Sequence, residues 1–361
     1  MEKINDKLGI FILNYNGIQW LEKNLKNIYE SSDNYNIIII DNNSNDDSVN
    51  YIKTHFPKID VIVNEKNYGF SKGYNQVLLK EFDFTYFLLL NNDVKVTNNW
   101  IEPMLRLIKK HNISIVQPKI LNAVQKNLFD YAGAAGGFLD ILGIPFCRGR
   151  IINKIELDSG QYDNDTKISW ASGCCLLIES NVFHQLKGFD EDLFMHQEEI
   201  DLCWRAKLLN KETYYCGDST IYHYGGGTLE YTNPNKHYYN HRNNLLMLIK
   251  NLPLHVLIIV LPIRLIMDYM MIASYFILGL LYILFTLPLY FDKEYEPNHK
   301  YGIEKVKISF SILSAHISGL FLLRKFIKKR LPIETHHMYP GSIIWDYYIK
   351  RYKKFSELKK F

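Results

Sequence analysis

The sequence predicts an α/β fold, a mostly parallel sheet with helices on both faces. Apolar runs rich in Ile and Leu recur along the N-terminal part, and the segments between them have apolar residues at helical spacing. Each apolar run ends in a polar group, namely NYNG, DNNS, NEKNYG or NND. Uninterrupted apolar strands that alternate with helices are typical of parallel sheets covered on both faces.

Strands and helices alternate from the first apolar run onward. In the first predicted helix, Leu21, Leu25 and Ile28 repeat at the spacing of one helix face. We expect strands at residues 8–16, 35–44, 59–64 and 85–90, and a core strand at 174–178. We expect helices at residues 18–30, in a segment that ends at His55, and at 73–80.

Length and composition allow one large domain with an appendage. The five cysteines form no CxxC pair, and no secretory apolar segment precedes Leu8, so we expect a reduced cytosolic setting. From Arg324 onward there are eleven Lys or Arg and three acids, a net charge of +8, which leaves −4 for the preceding part. Such a tail attracts nucleic acid or an anionic membrane, and the adjoining apolar sequence favours the membrane.

The carboxyl ends of parallel strands are where ligands gather. Asp41 ends an Ile run there and can accept hydrogen bonds from a base or a ribose. No GxGxxG follows the first strand, which disfavours a dinucleotide site. Asp93 follows another apolar run and could hold Mg²⁺ or Mn²⁺ together with substrate phosphates. The alternative for Asp93 is a helix cap before Trp100.

The NYGFSKGYN segment is a candidate ligand loop. Gly69 and Gly73 would let a backbone approach a ligand, and Asn67 and Asn75 supply amide groups. An ordinary turn explains the two glycines almost as well.

The segment from Trp170 to Arg205 holds a cluster of acids beside apolar and aromatic residues. A partly desolvated carboxylate in such a cluster is a candidate general base. The alternative is the solvated first turn of a helix, where the helix dipole favours acids. The acids are Asp190, Glu191, Asp192, Glu198, Glu199 and Asp201.

The ordered combination of motifs resembles a known enzyme family. LNYNG, DNNS, NxGFxxGxN, LNND, GFDEDLFMHQEEIDLCWR and YHYGGGT follow one another between Leu8 and Leu246. Together they resemble the inverting family-2 glycosyltransferases with the GT-A fold, in particular the rhamnosyltransferase-like branch. The resemblance implies transfer of a sugar, with inversion, from a nucleotide diphosphate sugar to an acceptor hydroxyl, with Mg²⁺ or Mn²⁺ as cofactor.

The resemblance also implies roles for single residues. Asp41 would read the base, the last Asp of the DxD-like NND, Asp93, would bind the metal, and Glu198 or Glu199 would be the catalytic base. The expected donor-binding residues are Asn14, Tyr15, Asp41, Asn67, Gly69, Phe70, Gly73, Asn75, Asn91, Asn92 and Arg242.

The sequence departs from the family pattern in two places. Asn91 replaces the first Asp of DxD, which leaves one less negative charge on the ion. The family's ED pair is Glu198-Glu199 here, so Glu199 is one methylene longer than the usual Asp. Either carboxylate can take a proton from an attacking hydroxyl.

Three further predictions concern the metal, the phosphates and the acceptor. His223 follows an apolar β segment and is expected to complete the metal shell, the alternative being a packed or hydrogen-bonded histidine. Arg242 is expected to grip phosphate oxygens, the alternative being a solvated helix face. The residues expected on the acceptor side are Trp170, Ser172 and Gly173.

The composition changes at Leu252. Residues 252–291 are mostly apolar, interrupted by Arg264 and Asp268. The uncharged part, 269–291, is long enough to cross a membrane, whereas 252–261 and 308–323 suit helices in the interface. A pair of core helices in a soluble domain is the alternative. The segments 324–330 and 350–360 would supply a cationic anchor.

These observations predict a metal-dependent inverting glycosyltransferase that extends a bacterial surface glycan. We expect a GT-A domain at 1–250, membrane-associated helices at 251–330 and a basic tail at 331–361. The expected location is the cytoplasmic face of the inner membrane, peripheral, monotopic or with one spanning segment. The expected partners are a nucleotide diphosphate sugar, with deoxythymidine diphosphate rhamnose first to test, and a glycan or lipid-linked acceptor. Nucleic acid is not expected, and a homo-oligomer is left open.

The same sequence allows two other functions. A sugar-phosphate nucleotidyltransferase is disfavoured because no Gly-rich triphosphate loop with a basic residue follows the first strand. A non-catalytic, membrane-bound scaffold that keeps a nucleotide-sugar fold is the second.

Overall fold

A computed structural model describes residues 7–110, 112–225, 233–285, 299–331 and 338–358. Contacts divide the chain into two compact units, Met1–Gly227 with Thr335–Phe361, and Thr228–Glu334. This division does not follow the expected limits at 250 and 330. A helix that begins at Pro234 belongs to the second unit, and the C-terminal residues return to the first.

The first unit contains a large mixed sheet and a small antiparallel one. In the described residues, the large sheet has the order β11-β13-β6-β12-β4-β1-β2-β3, with β5 paired to β13, and the small sheet has the order β10-β9-β8-β7. The strands are β1 (Leu8–Asn14), β2 (Asn36–Asp41), β3 (Asp60–Val63), β4 (Tyr86–Asn91), β5 (Val94–Val96), β6 (Ile113–Asn122), β7 (Gly137–Leu139), β8 (Pro145–Cys147), β9 (Arg150–Ile151), β10 (Lys154–Ile155), β11 (Thr166–Ile168), β12 (Cys175–Glu179) and β13 (Glu212–His223).

The helices alternate with the strands at the N-terminal end, as predicted. In α1, Leu21, Leu25 and Ile28 are buried against the sheet side of the core, because that face carries its apolar residues. The helices of the first unit are α1 (Ile18–Glu30), α2 (Ser48–His55), α3 (Gly69–Leu78), α4 (Glu102–Ile108), α5 (Ser180–Gln185), α6 (Glu198–Ala206) and, after the second unit, α10 (Ile343–Tyr348). The second unit contains α7 (Pro234–Asn251), α8 (Leu254–Phe285) and α9 (His299–Lys328).

Strand direction places the polar strand ends at one edge. β1, β2, β3 and β4 are mutually parallel neighbours. β12 is antiparallel to both β4 and β6, and β13 is parallel to β6. The carboxyl ends of β1, β2, β4, β6 and β13 therefore share one edge with the start of β12. The predicted α/β fold is confirmed, and the polar strand ends lie at one edge, as expected.

One predicted helix begins earlier than expected. We expected a helix at 73–80, but α3 begins at Gly69. Gly69 has a positive φ of 73°, and its N–H donates to the Asn67 side chain over 2.9 Å. An Asx turn at Asn67 therefore starts the helix one turn earlier.

The C-terminal segment packs on the small sheet of the first unit. Tyr339 N donates to Leu139 O over 2.8 Å, and the buried Asp140 carboxylate accepts the N–H of Ile343 over 2.9 Å. The Tyr339 hydroxyl donates to Asp346 over 2.6 Å. This part of the tail is therefore a fixed element of the first unit.

The second unit is a group of three helices with two long apolar members. Leu254–Leu284 and His299–Lys328 are long and apolar enough to cross a membrane, by length and composition only. The apolar pieces expected as separate segments belong to these two continuous helices, and residues 286–291 of the expected span lie outside the described residues. Inside the unit, Asp268 on α8 lies 3.1 Å from His241 on α7 and 2.9 Å from His316 on α9.

Candidate active site

Polar side chains at the ends of β1, β2 and β4 bond to one another. Asn14 Nδ2 donates to Asp41 over 2.9 Å, and Asn92 Nδ2 donates to Asn14 Oδ1 over 2.8 Å. Asp41 also accepts the N–H and the hydroxyl of Ser44, both at 2.7 Å. Asp41 is fully buried, so in this structure it organises the edge. Tyr15, beside this network, is 45% exposed.

Asp93 lies opposite His223 at the same edge. His223 Nε2 is 3.3 Å from Asp93 Oδ1, and His223 Nδ1 is 3.2 Å from Asp130 Oδ2. The register explains the first contact, because His223 pairs with Val94 between β13 and β5. Asp93 is followed by a strand, and the residue before α4 is Ile101, which excludes the helix-cap alternative.

The negative charge of Asp93 and the positive charge of His223 stabilise each other. Burial alone would raise the pKa of the Asp93 carboxyl, but His223 outweighs it, and the pKa is lowered. Burial opposes protonation of His223, but Asp130 and Asp93 outweigh it, and the pKa of the imidazole is raised well above its usual value. His223 thus lies between two carboxylates, Asp93 and Asp130, and its role as a metal ligand stays a prediction.

The residues around Asp93 fit a divalent cation. Asp93 Oδ1 is buried and accepts no hydrogen bond of good geometry from the described residues, although His223 Nε2 lies 3.3 Å away. A carboxylate oxygen of this kind can serve as a ligand for Mg²⁺ or Mn²⁺. No group of three His, Cys, Asp or Glu with metal-binding geometry occurs within the described ranges. Mg²⁺ and Mn²⁺ commonly take few protein ligands and complete their shell with phosphates and water.

The NYGFSKGYN loop and helix α3 are bonded to the segment that precedes α6. Both ends of the Asn75 amide bond to the backbone of Phe189, at 2.9 Å and 3.0 Å. Phe70 N donates to Phe194 O over 2.9 Å. A Cβ on Gly69 would lie 2.6 Å from the Phe194 ring, and a Cβ on Gly73 would lie 2.8 Å from the Asn42 amide. The two glycines are therefore required for close packing.

The turn before α6 has an unusual backbone. Phe194, His196 and Gln197 have positive φ values of 62°, 67° and 73°, although none is glycine. Left-handed backbone at such residues is strained and persists only where surrounding contacts hold it. The turn delivers Glu198 and Glu199 into the first turn of α6.

Glu198 and Glu199 are buried carboxyl groups, unlike a solvated helix turn. Glu198 is only 4% exposed. Burial, with the neighbouring Glu199, raises the pKa of Glu198 well above its usual value. Burial raises the pKa of Glu199 to about 7, against backbone hydrogen bonds that lower it. A carboxyl that titrates near neutrality is suited to accept a proton in catalysis.

Two other acids of the cluster, Asp190 and Asp201, bond inside the protein. Asp190 caps a short 3₁₀ turn by accepting the N–H of Asp192 over 3.2 Å. Asp201 is fully buried and pairs with Arg205 Nε over 2.7 Å.

The expected acceptor residues precede β12, at the strand edge that carries Asp93. Trp170 and Ser172 are buried. Trp170 Nε1 donates to Phe138 O over 2.9 Å, and Ser172 Oγ donates to Ala132 O over 2.8 Å. Gly173 approaches Phe70, whose ring would lie 3.2 Å from an added Cβ. The side-chain hydrogen bonds of Trp170 and Ser172 therefore hold the backbone of neighbouring segments.

Arg242 lies in the second unit, on α7. It is 9% exposed, and its guanidinium donates to Asn243 Oδ1 over 2.9 Å and lies over the rings of Tyr238 and Tyr239. A solvated helix face is therefore excluded for Arg242.

Two contributors to the site were missed from the sequence. Asp130 backs His223, and the only sequence signal for it was an acid that follows an apolar strand. The backbone carbonyl of Phe194 accepts hydrogen bonds from the first N–H groups of α3. A backbone contact of this kind cannot be predicted from the side chain.

The strand edge thus carries a carboxylate and an imidazole, Asp93 and His223, and the first turn of α6 carries the adjacent carboxyl groups of Glu198 and Glu199. Residues 9–185 match the family model for glycosyl transferase family 2. Residues 9–185 therefore form a domain similar to those of glycosyl transferase family 2.

Curated relatives agree with this assignment. The chain is 26% identical over 208 residues to the low-salt glycan biosynthesis hexosyltransferase Agl10 of Haloferax volcanii, covering 57% of this chain and 63% of that one. It is 26% identical over 223 residues to the rhamnosyltransferase WbbL of Escherichia coli, covering 60% and 82%. An N-acetylglucosaminyl-diphospho-decaprenol L-rhamnosyltransferase of Mycobacterium tuberculosis is 19% identical over 237 residues, covering 61% and 77%. The match thus spans less than two thirds of the archaeal relative.

A solved structure agrees on the fold. GalNAc-T7, crystallised with UDP, GalNAc and Mn²⁺, aligns with a TM-score of 0.50 at 18% identity, covering 60% of this chain and 43% of that one. At this identity the likeness concerns the fold alone.

Proposed function

We propose that the protein transfers a sugar, with inversion, from a nucleotide diphosphate sugar to an acceptor hydroxyl. The observation that carries the proposal is Glu199, a buried carboxyl whose pKa is raised to about 7, in a segment tied by α3 to the ligand edge. A base with such a pKa is partly ionised at neutral pH and binds a proton readily.

Glu199 is the proposed catalytic base. It removes the proton of the acceptor hydroxyl while the hydroxyl oxygen forms a bond to the anomeric carbon. The bond from that carbon to the diphosphate breaks on the opposite face, and the nucleoside diphosphate leaves with the electron pair. Inversion follows from this single displacement, so no covalent enzyme intermediate is needed.

Glu198 is assigned a supporting role. Burial and the neighbouring Glu199 raise its pKa well above the usual value. Two adjacent buried carboxyls do not easily carry two charges, so Glu198 is proposed to tune the proton affinity of Glu199.

Asp93 and His223 are the residues that would hold a divalent cation, Mg²⁺ or Mn²⁺. When bound, the cation neutralises charge on the departing diphosphate. Asp130 keeps the His223 ring oriented toward Asp93. Asn91, whose side chain bonds to Asp93, orients the carboxylate.

The donor site is proposed at the shared strand edge. Tyr15 and Asn67 are the exposed members of the expected donor set, and they are proposed to contact the nucleotide directly. Asn14, Asp41, Asn92 and Asn75 are engaged inside the protein, so they are proposed to shape the edge. Phe70, Gly69 and Gly73 keep α3 close to it. Arg242 lies on α7 of the second unit, and its phosphate-binding role stays a prediction from the sequence.

A lipid-linked acceptor is proposed from the two long apolar helices and from the relatives. One relative is named for a diphospho-decaprenol substrate, and two are named as rhamnosyltransferases. We therefore propose rhamnose as the first donor sugar to test, and the cytoplasmic face of the inner membrane as the location.

The test is sugar transfer by the purified chain with a panel of deoxythymidine, uridine and guanosine diphosphate sugars. Asp93→Ala and Glu199→Gln are expected to abolish transfer and to leave the far-UV circular dichroism unchanged. Full turnover in either variant would reject the site assignment. Product formed from a nucleoside triphosphate and a sugar phosphate would show a nucleotidyltransferase. No calorimetric binding of any nucleoside diphosphate with Mn²⁺ would show a scaffold.

A further inference from the structure

The outer face of α10 is apolar, and the described residues leave it exposed to solvent. Trp345, Tyr348 and Ile349 are 57%, 51% and 59% exposed. Their i, i+3, i+4 spacing puts them on one helix face. Asp346 and Tyr347 on the other face are buried.

This face is held rigidly in place. The Ile343 N–H and the Tyr339 hydroxyl bond to buried carboxylates, Asp140 and Asp346. In the adjoining turn, Ile141 donates its N–H to Gly341 O over 3.3 Å, and its side chain is 46% exposed. The apolar exposure is therefore built into the folded unit and does not come from a frayed end.

Cations from two distant segments lie near the C-terminal end of α10. Arg351 and Lys354 are exposed and follow α10 directly. Lys353 lies over the Tyr347 ring, 3.2 Å from its centroid. Burial, Arg351 and Lys154 lower the pKa of the Lys353 ammonium, which places Lys154 of the small sheet in the same cationic group.

We propose that this face, comprising Ile141, Trp345, Tyr348 and Ile349 with its flanking cations, contacts the headgroup region of an anionic phospholipid membrane. Trp and Tyr concentrate at membrane interfaces, where one end of the ring is apolar and the other wet. Adjacent Lys and Arg are attracted to anionic headgroups within a Debye length of the surface. Charge complementarity thus selects an anionic bilayer as the occupant.

The inference gives the catalytic unit a membrane contact of its own, besides the two apolar helices of the second unit. It rests on the membrane attachment proposed above, but not on sugar transfer. A contact on the catalytic unit would hold the unit at the depth of the headgroups, where the reactive end of a lipid-linked acceptor lies.

The test uses fluorescence of the full chain in lipid nanodiscs that carry a nitroxide on the lipid headgroup. All five Trp lie within the described residues, and Trp345 is the exposed one, whereas Trp100, Trp170 and Trp204 are each at most 4% exposed. Nanodiscs of phosphatidylcholine with phosphatidylglycerol are compared with nanodiscs of phosphatidylcholine alone. Trp345→Phe is the test variant, and Trp20→Phe, which removes a partly buried indole, is the matched control.

We expect headgroup quenching in anionic nanodiscs that is at least halved by Trp345→Phe and kept in Trp20→Phe. Arg351→Gln with Lys354→Gln should weaken the quenching in anionic nanodiscs only. Quenching that survives Trp345→Phe, or that is equal in neutral and anionic nanodiscs, would overturn the proposal. Absence of quenching in the wild-type chain would also overturn it and would point to a protein partner. The readout needs no turnover, so an inactive chain would still give the expected result if the face binds lipid.

Discussion

Glu198 and Glu199 are adjacent in the chain, yet their environments separate them. Both begin α6 behind a strained turn, but Glu198 is the more buried. Burial penalises the charged form of each carboxyl, and the pair cannot easily carry two charges. The two carboxyls therefore titrate as a pair, and we assign the role of base to Glu199, the less buried of the two.

Replacing Glu199 by Gln should lower kcat by about 10²–10⁴-fold, the usual contribution of a general base. In the wild type, kcat/KM should rise with pH through about 7, because Glu199 must lose its proton to act. Steady-state transfer assays between pH 5 and pH 9 measure both effects. Glu198→Gln is the control and should keep the rising limb. A flat wild-type profile would contradict the assignment.

The same carboxyl should affect stability in the opposite sense. The folded pKa of Glu199 is raised to about 7 from 4.5, so the stability that its protonated form contributes is complete below the unfolded pKa and is lost as pH rises through about 7. Glu199→Gln should therefore gain stability over the wild type at pH 8 and little at pH 4. Denaturant unfolding at the two pH values measures this. An equal difference at both would contradict the raised pKa.

Asp130 is a positioning residue, because it reaches the metal edge only through His223. Asp130→Asn should weaken Mn²⁺ binding by about 10–100-fold, as is usual when a histidine ligand loses its carboxylate partner. Electron paramagnetic resonance of free Mn²⁺ measures the affinity without turnover. Asp158→Asn is the control, since Asp158 pairs with Lys119 over 2.9 Å. Unchanged Mn²⁺ affinity in Asp130→Asn would reject the role.

At the scale of elements, α3 links the ligand edge to the catalytic turn. Its first N–H groups donate to the Phe194 carbonyl, and Asn75 on its inner face holds the Phe189 backbone. Phe194 is the residue with positive φ that begins the strained turn before Glu198. A shift of α3 would therefore move the turn that carries the base.

Gly69→Ala tests this link. A Cβ at Gly69 would lie 2.6 Å from the Phe194 ring, on backbone with φ of 73°. We expect a lower Tm, equivalent to about 1–3 kcal/mol, and weaker donor binding by calorimetry. Gly319→Ala, where no heavy atom lies within 4 Å of the added Cβ, should not lower Tm. A wild-type Tm and donor affinity in Gly69→Ala would remove the link.

At the scale of the molecule, the chain combines an α/β sheet unit with two long apolar helices. The polar residues Asp268, His241 and His316 meet inside the helical unit. Ionisable groups within apolar helices usually pair with one another in this way. This pairing allows α8 to remain long and apolar on its outside.

Membrane fractionation tests the attachment as a whole. Cell membranes prepared without detergent should retain the protein after washing with about 1 M salt. At this ionic strength the Debye length is about 3 Å, so attraction between surface charges is screened. Detergent should release it, because apolar burial is insensitive to screening. A soluble cytosolic enzyme is the control. Release by salt alone would leave only an electrostatic anchor, and a wholly soluble protein would reject membrane attachment.

The sequence by itself determined the layered α/β fold, the ligand edge and the identity of the acids and amides on it. Uninterrupted apolar runs and helical spacing are local signals, and parallel strands bring their carboxyl ends together whatever the details of packing. Phe11, Ile39 and Leu88 lie on parallel strands covered by helices on both faces, so their side chains are buried.

Only the tertiary structure decided which of these groups work together. That Asp130 backs His223, that Asn75 holds Phe189 and that Asp41 is enclosed by Asn14 and Ser44 depends on strand register and on contacts between residues distant in the chain. The return of the C-terminal segment to Asp140 was equally invisible in the sequence. Such contacts arise from packing of whole elements, and no periodicity in the sequence records them.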